Sequence, residues 1–544
     1  MYNCRNCGGN LRFDIPTQRL KCPYCDSDYD CYEMEEYAGS PAEEDKDSYD
    51  VTVFSCPQCG GEIISTDQSV SEFCSYCGSS VVLDTRLRKE KRPAKIIPFQ
   101  KTSEDCVNAY KQKLKASIFA PGILKDPKFL ENFRGIYIPY WSYGFTHKGN
   151  VSLTAKHEYR SGDYDVTDYY NVTGDVDASY DGLCFDASSS FDDAISAAIA
   201  PFDPGQMKDF VPSYLSGFYA DVADVGAETY MDEANNMANE ETIRVIERDP
   251  VAGKYPISTS SGTKTMNQNL KTNIREPVGA MFPVWFLTWR DRDRVAYMTV
   301  NGQTGKVAAD IPIDERKYIF AALLCAVPLY FLLNAVFSFT APTALFFAGL
   351  FSLASGIIYY EEISSIIKRD NRELDKGFQR KQTAGKAKEK KGKKKQQKKQ
   401  NKKDTPFLHR VIHLGMIASL VLTLIAACVI YFSTDDIFET IFHRVTLNFL
   451  LISAAFIFWE MTFDDKDKPG VKYKPEQGIV GSQLAVLLAA VINILHPVSD
   501  VIYYIGMIIA YVGIFSTLIN VIRKYNLLIT RPIPELHNRG KEAP

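Results

Sequence analysis

The chain has 544 residues, 62 Lys and Arg against 66 Asp and Glu, and a formal net charge of −4. Such a length asks for more than one domain. The small net charge excludes little, because it averages opposite regions: Asp26 to Asp50 holds eleven acidic residues and one lysine, and Arg380 to Lys403 holds twelve lysines and one glutamate. The mean hydropathy of −0.16 hides a second split, between a polar first 315 residues and a largely apolar remainder.

Eight of the thirteen cysteines fall in the first 77 residues, in one pattern used twice. Cys4 and Cys7 are followed by Cys22 and Cys25, and Cys56 and Cys59 by Cys74 and Cys77, each time with fourteen residues between the pairs. Two residues between cysteines let both sulfurs of a tight turn face one ion. Glycine after the second cysteine, present as Gly8, Gly60 and Gly78, permits the positive φ of such a turn. Two turns supply four thiolates at about 2.3 Å around tetrahedral Zn²⁺, a closed and therefore structural site. The sequence thus predicts two Zn²⁺ ions. A disulfide framework would need an oxidising compartment, which a chain with no signal peptide ahead of Cys4 is not expected to reach. A redox Cys-x-x-Cys would be single and would open a helix in a βαβ unit. Cys31, outside both quartets, reads as a spare surface thiol. Ribbons this small have little apolar core, so the metal is expected to supply their folding energy.

Between the ribbons the acidic stretch with Gly39, Ser40 and Pro41 reads as a linker, and Arg86 to Arg92 as a short basic one. A soluble α+β domain rich in antiparallel strands follows. Thr102 to Asp105 is a capping signal, with Val107, Tyr110 and Leu114 on one helical face. Asp126-Pro127 opens a second short helix. Strand patterns cover Gly135 to Phe145, then Val151 to His157, then Tyr164 to Val172. Helical patterns run from Phe191 to before Pro201 and from Met231 to Arg248. Met281 to Trp289 and Val295 to Val300 are again strands, with a tight turn at Asn301-Gly302. Ile138-Pro139-Tyr140-Trp141 echoes Phe282-Pro283-Val284-Trp285, which reads as two sheet-core strands with edge prolines rather than as a duplication. His147 and His157 take exposed strand positions in this reading.

From Tyr318 onward six apolar segments, Tyr318–Phe339, Thr343–Tyr360, Leu414–Phe432, Val445–Phe463, Ile479–Leu495 and Val501–Val521, each approach the ~20 residues that span a bilayer. Lysine and arginine gather in alternate loops, which places both termini in the cytoplasm. The expected organisation is ribbon one at 1–30, an acidic linker at 31–50, ribbon two at 51–85 and the soluble domain at 86–313. Transmembrane helices one and two follow at 314–363, then a disordered cytoplasmic lysine-rich loop at 364–410. Helices three to six occupy 411–523, with a cytoplasmic tail at 524–544. The fold class is therefore multidomain, with a polytopic α-helical membrane domain of about six spans. Within the lysine run, Lys390, Lys391, Lys393, Lys394, Lys395, Lys398 and Lys399 are the candidates for contact with anionic lipid headgroups; a solvated tether is the alternative.

The paired ribbons, Pro93 to Phe99, Gly135 to Trp141, Tyr214 to Phe218, Phe282 to Trp285 and Asn301 to Val307 together resemble the bacterial double zinc-ribbon membrane proteins often labelled "TFIIB-type zinc ribbon-containing protein". Some of these carry labels borrowed from the replication-restart helicase or an RNA polymerase subunit. The resemblance covers about residues 1–340 and implies a multi-pass protein of the bacterial cell membrane. It also implies protein partners of the phage-shock or flotillin-like type. The lysine loop and four further spans exceed the shorter relatives.

A non-enzymatic membrane-anchored adaptor for protein partners, in envelope stress or membrane organisation, is the expected function. A membrane-tethered nucleic-acid binder is the first alternative. It would need a basic face, whereas the second ribbon carries Glu62, Asp67, Glu72 and Asp84 and only the first is mildly basic, with Arg5, Arg12, Arg19 and Lys21. No Gly-x-x-x-x-Gly-Lys-[Ser/Thr] occurs, which excludes a helicase of that type. No nucleophile elbow or His-Glu-x-x-His motif occurs, so no catalytic residue is assigned. A transporter of a neutral solute is the second alternative, since the centres of the segments hold Asn334, Asn448 and Asn493 but no charge.

Overall fold

The computed structural model describes residues 2–38, 48–65, 74–80, 84–254, 256–257, 271–336, 340–372, 375–379, 451–452, 455, 476–534 and 536. The first cysteine quartet sits on a small antiparallel sheet of β1 (Arg12–Asp14), β2 (Arg19–Lys21) and β3 (Asp28–Tyr29), followed by helix α1 (Cys31–Ala38). Alternation turns Leu11, Phe13 and Leu20 to one side, where they join Met34 and the core of the main domain.

The second quartet sits at one end of a thirteen-stranded sheet. Its strands are β4 (Ser48–Ser55), β5 (Glu62–Ser65), β6 (Asp84–Lys91), β7 (Lys95–Ile96), β8 (Arg134–Ser161), β9 (Tyr164–Asp186), β10 (Lys208–Asp209), β11 (Tyr219–Asp221), β12 (Lys271–Ile274), β13 (Val278–Asp291), β14 (Arg294–Asn301), β15 (Val307–Ala309) and β16 (Arg531–Pro532). The path runs β10-β7-β13-β8-β11-β5-β4-β6; β9 and β12 pair with β8, β14 with β13, and β15 and β16 with β14. The run expected as a basic linker is strand β6, paired along β4 from Ser55↔Asp84 to Ser48↔Lys91. Its alternation sets Arg86 and Arg88 on one face, where both reach buried Glu62.

The capping signal is realised: Thr102 and Asp105 form a reciprocal capping box on α2 (Ser103–Lys115), which buries Cys106, Tyr110 and Leu114. Asp126 caps α3 (Pro127–Leu130). α4 (Asp193–Ile199) ends ahead of Pro201, and α5 (Met231–Arg248) ends at Asp249. Strands expected as separate pieces are one hairpin of β8 and β9, paired from Tyr140↔Asp186 to Ser161↔Tyr164. Its inward face, Val151, Leu153 and Ala155, packs on Ile243 of α5.

The two proline-bearing strands lie side by side, Phe282 opposite Ile138 and Pro283 opposite Tyr137. They are central, not at an edge. Pro139 falls where β8 passes from β11 (Ile136, Tyr137) to β9 (Tyr140 onward), and Pro283 where β13 passes from β7 (Ala280, Met281) to β14 (Val284 onward). Each proline carbonyl accepts a bond on that side, from Ala187 N at 2.7 Å and Gly302 N at 2.8 Å. The missing N–H therefore coincides with a change of partner, and no ladder bond is lost. Trp141 and Trp285 donate to Val225 O at 2.7 Å and Lys101 O at 2.8 Å.

The expectation of a six-span membrane domain is overturned. Among the described residues two helices are long and apolar enough to cross a membrane, α7 (Ala341–Asp370) and α9 (Asp500–Ile529). Before them α6 (Glu315–Val336) carries Pro328 in its interior. Val480–Leu495 of α8 (Glu476–Leu495) is a shorter apolar helical stretch among the described residues. It packs through Ala485, Val486, Ala489 and Ala490 against neighbouring helices. An apolar run records composition, which helix packing uses as readily as a bilayer does. The expected segment Leu414–Phe432, most of Val445–Phe463 and the lysine run with Lys390, Lys391, Lys393, Lys394, Lys395, Lys398 and Lys399 lie outside the described residues.

Candidate metal centres

Each Cys-x-x-Cys folds as the same turn. The first cysteine of the turn bonds its N–H to a carbonyl five residues on, and its own carbonyl accepts the N–H four residues on. Cys4 N→Gly9 O (2.8 Å) with Gly8 N→Cys4 O (2.9 Å) is repeated at Cys56 with Gly60 and Gly61. It recurs at Cys22 with Asp26 and Ser27, and at Cys74 with Gly78 and Ser79. The residue after the second cysteine is left-handed every time: Gly8 at φ 75°, Asp26 at 58°, Gly60 at 73° and Gly78 at 67°. Three of these are glycine, and the fourth is an aspartate, a residue type that tolerates this region. The turns also aim backbone donors at sulfur, Asn6 N→Cys4 Sγ and Gly61 N→Cys59 Sγ, both 3.4 Å.

Within each quartet all four sulfurs lie within 4.8 Å of one another, and these two groups are the metal-competent clusters among the described residues. Four thiolates at about 2.3 Å around a tetrahedral ion stand about 3.8 Å apart. In the second quartet Cys56–Cys77 and Cys59–Cys74 are 3.8 and 3.7 Å apart. In the first, Cys4–Cys25 and Cys7–Cys22 are 3.5 and 3.4 Å apart. These separations are far beyond the ~2.05 Å of a disulfide. The residues fit a tetrahedral four-thiolate metal, and no fifth ligand is supplied by a side chain of either quartet.

The quartets differ in setting. In the first, Cys7 is exposed and Cys25 half-buried; in the second, all four are buried. The cover over the second comes from far along the chain. Leu536, just past β16, bonds Cys59 O at 2.6 Å through its N–H and packs with Phe54, Ile63 and Tyr76 around the sulfurs. Thr288 donates to Ser75 O, and Tyr297 donates to Tyr76 O at 2.7 Å. The first quartet is fixed by Phe13 N→Ser216 O (2.9 Å) and Gln18 Nε2→Phe99 O (2.7 Å).

Some supporting residues escape the cysteine pattern. Ser27 Oγ lies 3.3 Å from Cys25 Sγ, Ser79 Oγ 2.9 Å from Cys77 Sγ, and Tyr29 Oη 3.4 Å from Cys4 Sγ, hydroxyls that could donate to thiolates holding a metal. A serine two residues after the last cysteine of each quartet was a visible repeat. So was a tyrosine within each second pair: Tyr24 lies against Gly9 and Tyr76 against Gly61, where an added Cβ would come within 2.4 and 2.7 Å of a ring carbon.

Cys31 is not a surface thiol. It is 1% exposed in the core at the start of α1, and burial pushes its thiol up to about 12. Its carbonyl accepts from Ser213 Oγ at 3.0 Å. His147 is not exposed either; it is fully buried, with Nδ1 3.0 Å from Thr242 Oγ1, and burial lowers its pKa. His157 stacks on Tyr159 near the hairpin tip.

Comparison with known proteins adds one relative. The chain is 27% identical over 326 residues to the uncharacterized protein YdjG of Bacillus subtilis (strain 168), a match spanning 58% of this chain and 91% of that protein. No protein-family model matches the chain, and no solved structure matches it. Two four-cysteine clusters at the N-terminus are compatible with double zinc ribbons.

Proposed function

We propose that the chain is a non-enzymatic, membrane-associated adaptor whose two quartets hold structural Zn²⁺. The ribbons face the reducing cytoplasm, and the β-rich domain presents protein partners at the membrane. The observation that carries this reading is the burial of the second quartet beneath the segment that leaves α9. A metal so enclosed has no open position for a substrate, and it ties a ribbon to an apolar helix. The helices support the membrane side. Ile505, Ile508, Ile509, Val512 and Phe515 of α9 are each more than half exposed, an apolar surface larger than water-facing helices carry. Resemblance to the double zinc-ribbon family supports phage-shock or flotillin-like partners.

The ribbon surfaces favour proteins over nucleic acid. Arg5 pairs with Glu33, Arg19 with Asp28 and Lys21 with Asp26, while Arg86 and Arg88 share Glu62. Cations already neutralised by neighbours release few counterions from a phosphate backbone. The test is fractionation of cells followed by capture. The protein is expected to stay with membranes through an alkaline carbonate wash. After detergent extraction it should bring down an envelope-stress or flotillin-like protein and no nucleic acid at moderate salt. Release by carbonate overturns the membrane association. Co-purifying DNA or RNA that resists moderate salt overturns the adaptor.

A further inference from the structure

A cavity of about 670 Å³ lies between α4, the β14–β15 edge of the sheet and the C-terminal end of α7. Its three carboxylates are already engaged. Asp310 accepts from Arg369 at 3.1 Å and from Arg531, Asp192 accepts from Arg531 at 3.2 Å, and Asp375 accepts from Arg372. Three carboxylates against three guanidiniums leave the inner part of the cavity neutral. Two further lining residues, Lys113 and Lys368, have no ion-pair partner among the described residues. Lys113 comes from the last turn of α2 in the β-rich domain, and Lys368 from the end of α7. Both are exposed. The remaining wall includes Ala194, Ala198 and Ala308.

We propose that this cavity binds a phosphate-bearing anion, held by Lys113 from the β-rich domain and Lys368 from α7. A phosphate group presents several charged acceptor oxygens and can take one ammonium from each side. The bound anion would then bridge the two parts of the molecule. Lys368 stands two residues from the end of α7, so a lipid headgroup at that level and a soluble phosphate monoester are both sources of the same chemistry. The lipid source rests on the proposed membrane association; the phosphate site does not.

The test uses the full-length protein in neutral detergent, with glycerol 3-phosphate as the soluble probe, phosphatidic acid as the lipid probe, and phosphatidylcholine as a lipid whose phosphate is balanced by choline. At least one anionic probe should bind. Lys113→Gln with Lys368→Gln should weaken it roughly a hundredfold, about tenfold for each lost charged donor, while Lys113→Arg with Lys368→Arg retains it. Unchanged metal content and circular dichroism show that the glutamine variant is folded. Preference for phosphatidic acid identifies a lipid headgroup, and equal or better binding of glycerol 3-phosphate a soluble ester. Glycerol 3-phosphate binding by a protein that carbonate strips from membranes keeps this proposal and removes the membrane reading. Absence of binding by both anionic probes, or equal binding by the glutamine variant, overturns it.

Discussion

Replacing Cys59 by serine is expected to remove one of two metal ions and to free the C-terminal segment. Cys59 is 1% exposed, and its carbonyl holds the N–H of Leu536 at 2.6 Å. With three thiolates left, the second site loses its tetrahedral set, and the cluster of Phe54, Ile63, Tyr76 and Leu536 loses its centre. Structural zinc in small ribbons is worth about 10–16 kcal/mol. That matches or exceeds the ~5–15 kcal/mol stability of a whole domain. The region is therefore expected to open rather than to shift, and limited proteolysis should cut near Arg531 at a protease level that leaves the unaltered chain intact. Cys7→Ser should also remove one ion but leave the C-terminal segment protected, because the first quartet lies on a separate sheet. Unchanged protection in Cys59→Ser would show that the metal does not hold the segment.

Arg294→Met is expected to destabilise the junction between the sheet and the helices by about 3–5 kcal/mol, the usual result of stranding one half of a buried pair. Arg294 is 7% exposed on β14. Its two Nη atoms meet the two oxygens of Asp370 at 3.0 and 2.9 Å, at the end of α7. Nε reaches Thr530 Oγ1 at 2.8 Å, and Nη2 also reaches the carbonyls of Leu527 and Thr530 at 2.6 Å. One guanidinium thus pairs a carboxylate on one helix and satisfies the last carbonyls of another. Lysine has a compact head without the planar fork, so Arg294→Lys should recover only part of the loss. Thermal unfolding in detergent, with proteolysis at the junction as a second readout, measures both. A change within about 0.5 kcal/mol, as at an ordinary surface position, would mean that the helices are held to the sheet by other contacts.

What could be read from the sequence follows from how local each interaction is. The eight cysteines were readable because a metal knuckle is made within six residues, and the same hydrogen bonds recur at Cys4, Cys22, Cys56 and Cys74. The box at Thr102 and Asp105 was readable for the same reason. Burial of Cys31 and His147 was not, since each is covered by residues far away in sequence, Ser213 and Thr242 among them. Nor was the merging of the second ribbon into the main sheet, which depends on β5 pairing with β11. Nor was the central place of Pro139 and Pro283, since each stands where its strand changes partner and those partners come from elsewhere in the chain. The role of the apolar segment Ile479–Leu495 was not legible either, because residues that pack on other helices, Ala485, Val486, Ala489 and Ala490 among them, are as apolar as a bilayer-facing surface.

Metal analysis of the purified full-length chain tests the central claim most directly. Native mass spectrometry alongside elemental analysis is expected to find two Zn²⁺ per chain, falling to one in Cys7→Ser, to one in Cys59→Ser and to none in the double variant. A chain that carries fewer than two ions, a different metal, or two ions that survive either substitution contradicts the account.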